Sequence, residues 1–135
     1  MNLKILLAIG LGGAIGTLLR YVLNVYTLTV GYPIGTMLEN LFGSLLLGML
    51  TGFFLYRIVP DWLKLGLGVG LCGGFTTMST LAADAVFLST HYPVYYPLLY
   101  VAISVIGGVA AAFIGFRLGE GAGKRATVKE GGEQR

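Results

Sequence analysis

Residues 70–80 read Gly70-Leu71-Cys72-Gly73-Gly74-Phe75-Thr76-Thr77-Met78-Ser79-Thr80. They sit near the middle of an apolar segment, Trp62–Ser89, that is long enough to cross a bilayer, which takes about 20 mostly apolar residues. Paired glycines followed by a threonine and serine cluster at that depth suggest a break in the helix. A broken helix frees backbone carbonyls and amides, and channels and transporters use such groups to hold ions. Carbonyl oxygens at a break suit a monovalent cation. The competing reading is a glycine packing face followed by hydroxyls that bond back to their own helix. Composition leaves the two open.

Three more segments of similar length surround this one: Leu3–Tyr26, Pro33–Arg57 and Tyr95–Leu118. The connections near Thr27–Tyr32, Ile58–Asp61 and Thr90–Val94 are short. The chain has 135 residues, 56% hydrophobic and 11% charged, against roughly 25% charged in a soluble domain. The expected fold is therefore an all-α membrane protein of four transmembrane helices, with the third broken mid-membrane. Residues 1–118 form the transmembrane domain, and the glycine-rich, charged stretch 119–135 is expected to be a disordered tail. Lys4 before an apolar run also fits a signal peptide. No clear A-x-A site follows, and the span continues through Arg20-Tyr21, so a retained helix is expected.

Glycine appears 22 times. Gly12-x-x-x-Gly16, Gly48-x-x-x-Gly52, Gly66-x-x-x-Gly70-x-x-x-Gly74 and Gly115-x-x-x-Gly119 have the small-residue spacing that lets membrane helices approach closely. Together they predict a tightly packed bundle, and four helices of this size barely enclose a pathway, so an oligomer is expected. Lys4, Arg57, Lys64, Arg117, Lys124, Arg125, Lys129 and Arg135 fall on one side of the membrane, with Arg20 at the end of the first span. That bias places both termini in the cytoplasm. Tyr92, Tyr95 and Tyr96 mark the far interface, Trp62 and Tyr56 the near one. The basic tail is interrupted by Glu120, Glu130 and Glu133 and reads as a topology signal, not a nucleic-acid site.

Polar residues inside spans face the bundle or a cavity. Thr36, Asn40 and Ser44 are four apart and form one helical stripe; Tyr100 and Ser104 form another. Such stripes either replace water around a small ion or hydrogen-bond between helices. Glu39 lies early in the second span, where an acid suits the helix dipole, and Arg20 is its candidate partner. Asp84 follows the hydroxyl cluster by two turns, at a vestibule or paired with an arginine. Cys72 packs as a small residue, and the lone His91 is a surface residue of a short connection. The sequence carries no catalytic triad, phosphate loop or metal-ligand cluster, so no enzyme is expected.

Taken in order, Gly12-Gly13-Ala14-Ile15-Gly16-Thr17-Leu18-Leu19-Arg20-Tyr21, Gly35-Thr36-Met37-Leu38-Glu39-Asn40-Leu41-Phe42-Gly43-Ser44 and the residues 70–80 quoted above resemble the first-, second- and third-helix motifs of the small fluoride channels, the Fluc or CrcB-type family. The resemblance implies a passive, fluoride-selective channel that relieves fluoride toxicity, built as an antiparallel two-subunit assembly with pores at the subunit interface. It implies a central structural sodium ion held by the backbone carbonyls of Gly73 and Thr76. The implied pore-lining positions are Thr36, Asn40, Met78, Thr80, Leu81, Tyr100 and Ser104, with Arg20 and Asp84 at vestibules. Family members use phenylalanine ring edges, which are electropositive, where this chain has Met78 and Leu81. Glu39 likewise stands where an apolar residue is usual.

An antiparallel homodimer needs one sequence to insert both ways, and the lysine and arginine bias opposes that. The expected partner is a paralogous chain of opposite orientation, with a homodimer as the alternative. The competing functions are a proton-coupled four-helix exporter, which would use Glu39 as its coupling acid, and a non-conducting subunit that completes a partner's channel.

Overall fold

The computed structural model describes residues 2–30 and 32–133. Helix α1 spans Leu3–Thr27 and is followed by a single 3-10 turn, Leu28–Val30; α2 spans Ile34–Phe54. Helix α3 starts as Asp61–Leu65, continues with π-type bonding through Gly66–Cys72, and closes with the short turn Gly73–Phe75. Helix α4 is Met78–His91 and α5 is Tyr95–Glu133. The stretch from Asp61 to His91 and the other three long helices are each long and apolar enough to cross a membrane. The expected four-span, all-helical architecture with a broken third span is what the chain adopts.

Glycines decide which helices touch. On α1, a Cβ added at Gly12 would strike the Gly66 carbonyl oxygen, and one at Gly16 would strike that of Leu71. In return, a Cβ at Gly70 would lie 2.7 Å from the Ile9 carbonyl oxygen, and one at Gly74 2.5 Å from that of Gly13. A second pair is locked the same way. Gly48 and Gly52 on α2 meet the backbone of Ala112 and Phe116, while Gly115 and Gly119 on α5 meet that of Leu45 and Met49. Apolar burial between helices gains nothing in lipid, so this backbone-to-backbone packing is the attraction available. The large apolar side chains accordingly face outward: Leu3, Leu7, Leu11, Ile15 and Leu18 form one exposed row on α1.

Residues 119–133 are helical where a disordered tail was expected. Helix α5 continues without interruption to Glu133, 39 residues in all. At about 1.5 Å per residue it is roughly 58 Å long, against a hydrocarbon core of about 30 Å. Composition suggested disorder because glycine is a poor helix former in water. Here Gly119 and Gly123 are contact residues that bring α5 onto Met49, Phe53 and Tyr56. The Thr127 hydroxyl donates to the Tyr56 carbonyl at 3.1 Å, and Glu120 bridges Lys124 at 2.7 Å and Arg117 at 3.4 Å. Residues 134–135 of the expected tail lie outside the described residues. His91 is exposed, as expected, but it ends α4 instead of lying in the connection and stacks on Phe87 with ring centroids 4.3 Å apart.

Candidate functional site

The helix break lies at Thr76 and Thr77. Thr76 has φ −78° and ψ 155°, and Thr77 has φ −149° and ψ 126°, both extended. Two extended residues interrupt the ladder of helical bonds, and the polar groups this frees need partners at membrane depth. Asn40 on α2 supplies two of them. Its Oδ1 accepts from the Thr77 N–H at 2.8 Å, and its Nδ2 donates to the Thr77 carbonyl at 3.0 Å. One amide side chain thus replaces the helix on both sides of a single residue. The Thr77 hydroxyl caps α4, accepting from the Thr80 N–H at 3.2 Å, and lies 3.0 Å from the Thr80 hydroxyl and 3.3 Å from that of Ser79.

These diversions leave two carbonyls without their ordinary helical donors. The N–H four residues beyond Gly73 belongs to Thr77 and goes to Asn40; the one four beyond Thr76 belongs to Thr80 and goes to the Thr77 hydroxyl. Gly73 is exposed, with nothing within 4 Å of where a Cβ would stand. Neutral carbonyl oxygens are hard ligands suited to an alkali cation, and the donor set at the break fits one. Among the described residues, no cluster of His, Cys, Asp or Glu offers an alternative metal site.

One hollow borders the break and a second lies beyond Thr80. The first, of about 350 Å³, is lined by Asn40, Ser44, Thr76, Thr77, Met78, Leu81 and Ser104, with Val105, Gly108, Val109 and Ala112 on its α5 side. Ser104 is 4% exposed, and its hydroxyl has no hydrogen-bond partner among the described residues. Met78 is 72% exposed while Leu81 is buried, so only one of the two side chains at the expected aromatic places is packed inside the chain.

The second hollow, of about 290 Å³, is lined by Asn24, Thr27, Tyr32, Pro33, Gly35, Thr36, Thr80, Asp84 and Phe87. Beside this hollow stands Tyr100, fully buried, whose hydroxyl donates to Asp84 Oδ2 at 2.8 Å and is hydrogen-bonded to the Thr36 side chain. Tyr32 meets the Tyr100 ring edge-on at 6.0 Å. Burial pushes the Tyr32 phenol above its ordinary pKa, and neighbouring Tyr96 adds to the shift.

The expected site residues are thus brought together in two groups. Asn40, Met78, Leu81 and Ser104 meet at the first hollow; Thr36, Thr80 and Asp84 meet at the second; Tyr100 joins them. The Thr36–Asn40–Ser44 stripe is split between the two hollows. Arg20 lines neither. Its carbonyl accepts from Asn24, one turn further along α1, and it forms no ion pair with Glu39. Asn24 takes that place: its Nδ2 donates to Glu39 Oε1. Sequence reasoning passed over Asn24, Thr27 and Thr77. Asn24 carried a usable signal, an amide inside a span four residues from Arg20.

A four-span bundle with a broken third helix, a partly polar hollow at the break and glycine-locked helix pairs defines a small membrane protein of the channel or transporter class. The model for the CrcB-like protein, Camphor Resistance (CrcB) family matches residues 7–116. The chain belongs to the CrcB-like family. It is 58% identical over 117 residues to "Fluoride-specific ion channel FluC 2" of Halalkalibacterium halodurans, covering 87% of each chain. Its identity to "Fluoride-specific ion channel FluC 2" of Bacillus subtilis is 49% over 117 residues, 87% of this chain and 88% of that one. With "Fluoride-specific ion channel FluC" of Thermus thermophilus it shares 38% over 122 residues, 88% of this chain and 96% of the other.

Proposed function

We propose that this chain is a subunit of a passive, fluoride-selective membrane channel that lets cytoplasmic fluoride out. The observation that carries the reading is the break at Thr76–Thr77, clamped by Asn40 and bordered by a hollow whose lining includes Ser104, a residue with a buried, unpartnered hydroxyl. The names of the relatives support the choice of ion and the absence of a catalytic step. Fluoride is small and strongly hydrated, so removing its water requires closely spaced hydrogen-bond donors. Ser104, Thr80 and Thr36 place hydroxyls along the proposed route, and Tyr100 stands beside them with its own proton given to Asp84. Asn40 holds that route open by completing the backbone of Thr77.

The first hollow also argues for a second subunit. Its wall includes exposed Met78, Val105 and Val109 beside Asn40, Thr76 and Thr77. Lipid tails cannot line a hollow of amide and hydroxyl groups without leaving those groups unsatisfied. A second chain, antiparallel to this one, would close it and supply the aromatic edges that Met78 and Leu81 lack. The lysine and arginine bias supports a paralogous partner and cytoplasmic termini, and the numeral in several relatives' names fits the same reading. A sodium ion, held through the carbonyls of Gly73 and Thr76, would offset part of the cost of placing an anion nearby.

The test is fluoride efflux from liposomes containing this chain alone, read with a fluoride electrode against a chloride control. Fluoride-selective efflux establishes the activity and a working homodimer. Efflux that appears only with an oppositely oriented homologue establishes the paired form. Equal fluoride and chloride efflux, or none in either arrangement from folded protein, overturns the reading.

A further inference from the structure

Glu39 is a carboxyl that the proposed route does not use, and its surroundings are specific. It is completely buried. Its Oε1 accepts from Asn24 Nδ2, while Oε2 has no hydrogen-bond partner among the described residues. Glu39 lies one turn beyond Gly35, on the face of α2 turned to α1. There a Cβ on Gly35 would strike the Thr27 hydroxyl and lie 2.8 Å from Asn24 Oδ1. Glu39 itself is shut off from solvent beneath this contact, although Asn24, Thr27 and Gly35 also line the second hollow.

An ionised carboxylate with one bare oxygen is costly in such a place unless a cation pairs with it. The charged groups whose fields reach Glu39 are Arg20 on α1 and Asp84 on α4. Arg20 makes no ion pair with it, and Asp84 carries the same sign. Helix α5 presents the Tyr100 hydroxyl, already given to Asp84. Tyr32 adds a neutral phenol. The charged residues of α3, Asp61 and Lys64, lie in its first five residues, at the other end from the break. Among the described residues no cation forms an ion pair with this carboxyl, and Arg20 acts on it only from a distance.

We propose that Glu39 is a positioning residue held as the neutral acid: it fixes Asn24 at the rim of the second hollow, and its ionisation weakens fluoride passage. The proposal rests on the fluoride reading above for its second half only. The neutral acid accepts from Asn24 through one oxygen and holds its proton on the other. It thereby joins α1 to α2 without placing a negative charge beside an anion route. Ionisation would add that charge next to Asp84 and turn the hollow against an entering anion.

The full-length chain in lipid tests both halves. Infrared difference spectra between neutral and alkaline pH, without fluoride, should show a protonated-carboxyl band that Glu39→Gln removes and Asn24→Ala shifts. A wild type without that band, or a band unmoved by both variants, overturns the proposal. Fluoride efflux should fall as pH rises, approaching roughly tenfold per pH unit beyond the group's titration. Glu39→Gln, which keeps an acceptor for Asn24, should carry fluoride at a rate independent of pH. Glu39→Ala, which releases Asn24, should be slow throughout. An alkaline fall retained in Glu39→Gln overturns the second half. If neither the chain nor its pair carries fluoride while the band behaves as stated, the fluoride reading has failed and the assignment of the acid stands.

Discussion

The two hollows use similar side chains for different ends. In the first, Asn40 and the Thr77 hydroxyl are committed to backbone groups that the break set free. Ser104 alone is buried there without a partner. Around the second, Tyr100 donates to Asp84 and Asn24 to Glu39, whose other oxygen stays bare. The lesson is that a polar residue inside a span does not identify itself as an ion ligand. What matters is whether its hydrogen-bonding capacity is already committed. By that measure the first hollow has one uncommitted hydroxyl, while the donors beside the second are already given to its neighbouring acids.

The largest effect expected from breaking this contrast is at Asn40. Asn40→Ala leaves the Thr77 N–H and carbonyl without partners, at about 1–3 kcal/mol for each buried group. Thermal unfolding in detergent should show that loss, and fluoride flux should vanish with it. Asn40→Asp keeps an acceptor for the N–H but loses the donor to the carbonyl. With its second oxygen set against that carbonyl, it should be at least as destabilised as the alanine variant and nearly without flux. Unchanged flux in a well-folded Asn40→Asp would remove this residue from the route and from the support of the break.

Ser104→Ala should separate stability from transport. It deletes a buried hydroxyl that has no partner, so unfolding should be unchanged or raised by about 1 kcal/mol. Flux should fall several-fold. A stable variant with full flux would show that the open hydroxyl serves nothing.

A smaller change is expected from Asp84→Asn. The amide oxygen still accepts from Tyr100, so the fold persists while a negative charge leaves the second hollow. Fluoride flux should rise at low ionic strength, and the gain should shrink as salt screens the charge. The smallest effect belongs to Thr27→Val. The Thr27 hydroxyl donates to carbonyls of its own helix, Leu23 and Asn24, at 2.9 and 3.1 Å. Stability should move within about 0.5 kcal/mol, with flux unaltered; a marked loss of flux would show that this hydroxyl turns toward the ion.

Much of this arrangement was legible in the residues. Spans follow from apolar length, and the helix pairs follow from glycines four apart, because in lipid close backbone approach is the main attraction left. The break was visible in Gly73-Gly74 and the hydroxyls after it. Three features were not legible. The pairing of Glu39 with Asn24 in place of Arg20 depends on how α1 is rotated against α2, which no pattern within either helix records. The split of the Thr36–Asn40–Ser44 stripe depends on Tyr100 entering from α5. The helical course of residues 119–133 was hidden because glycine, a breaker in water, is a packing residue where another helix lies against it.

The π-type stretch Gly66–Cys72 has a consequence for register. A residue in an α-helix turns the chain by about 100°, so the number of residues between the α1 contact and the break sets the direction in which Thr77 points. Adding or removing one codon in this stretch would leave the hydropathy of the span almost untouched. It would nonetheless swing Thr77 out of reach of Asn40 and carry the freed carbonyls of Gly73 and Thr76 to another side of the bundle. The wide turn works as a timing mark: it keeps the contact with α1 and the break in phase, as a keyway fixes a gear on its shaft.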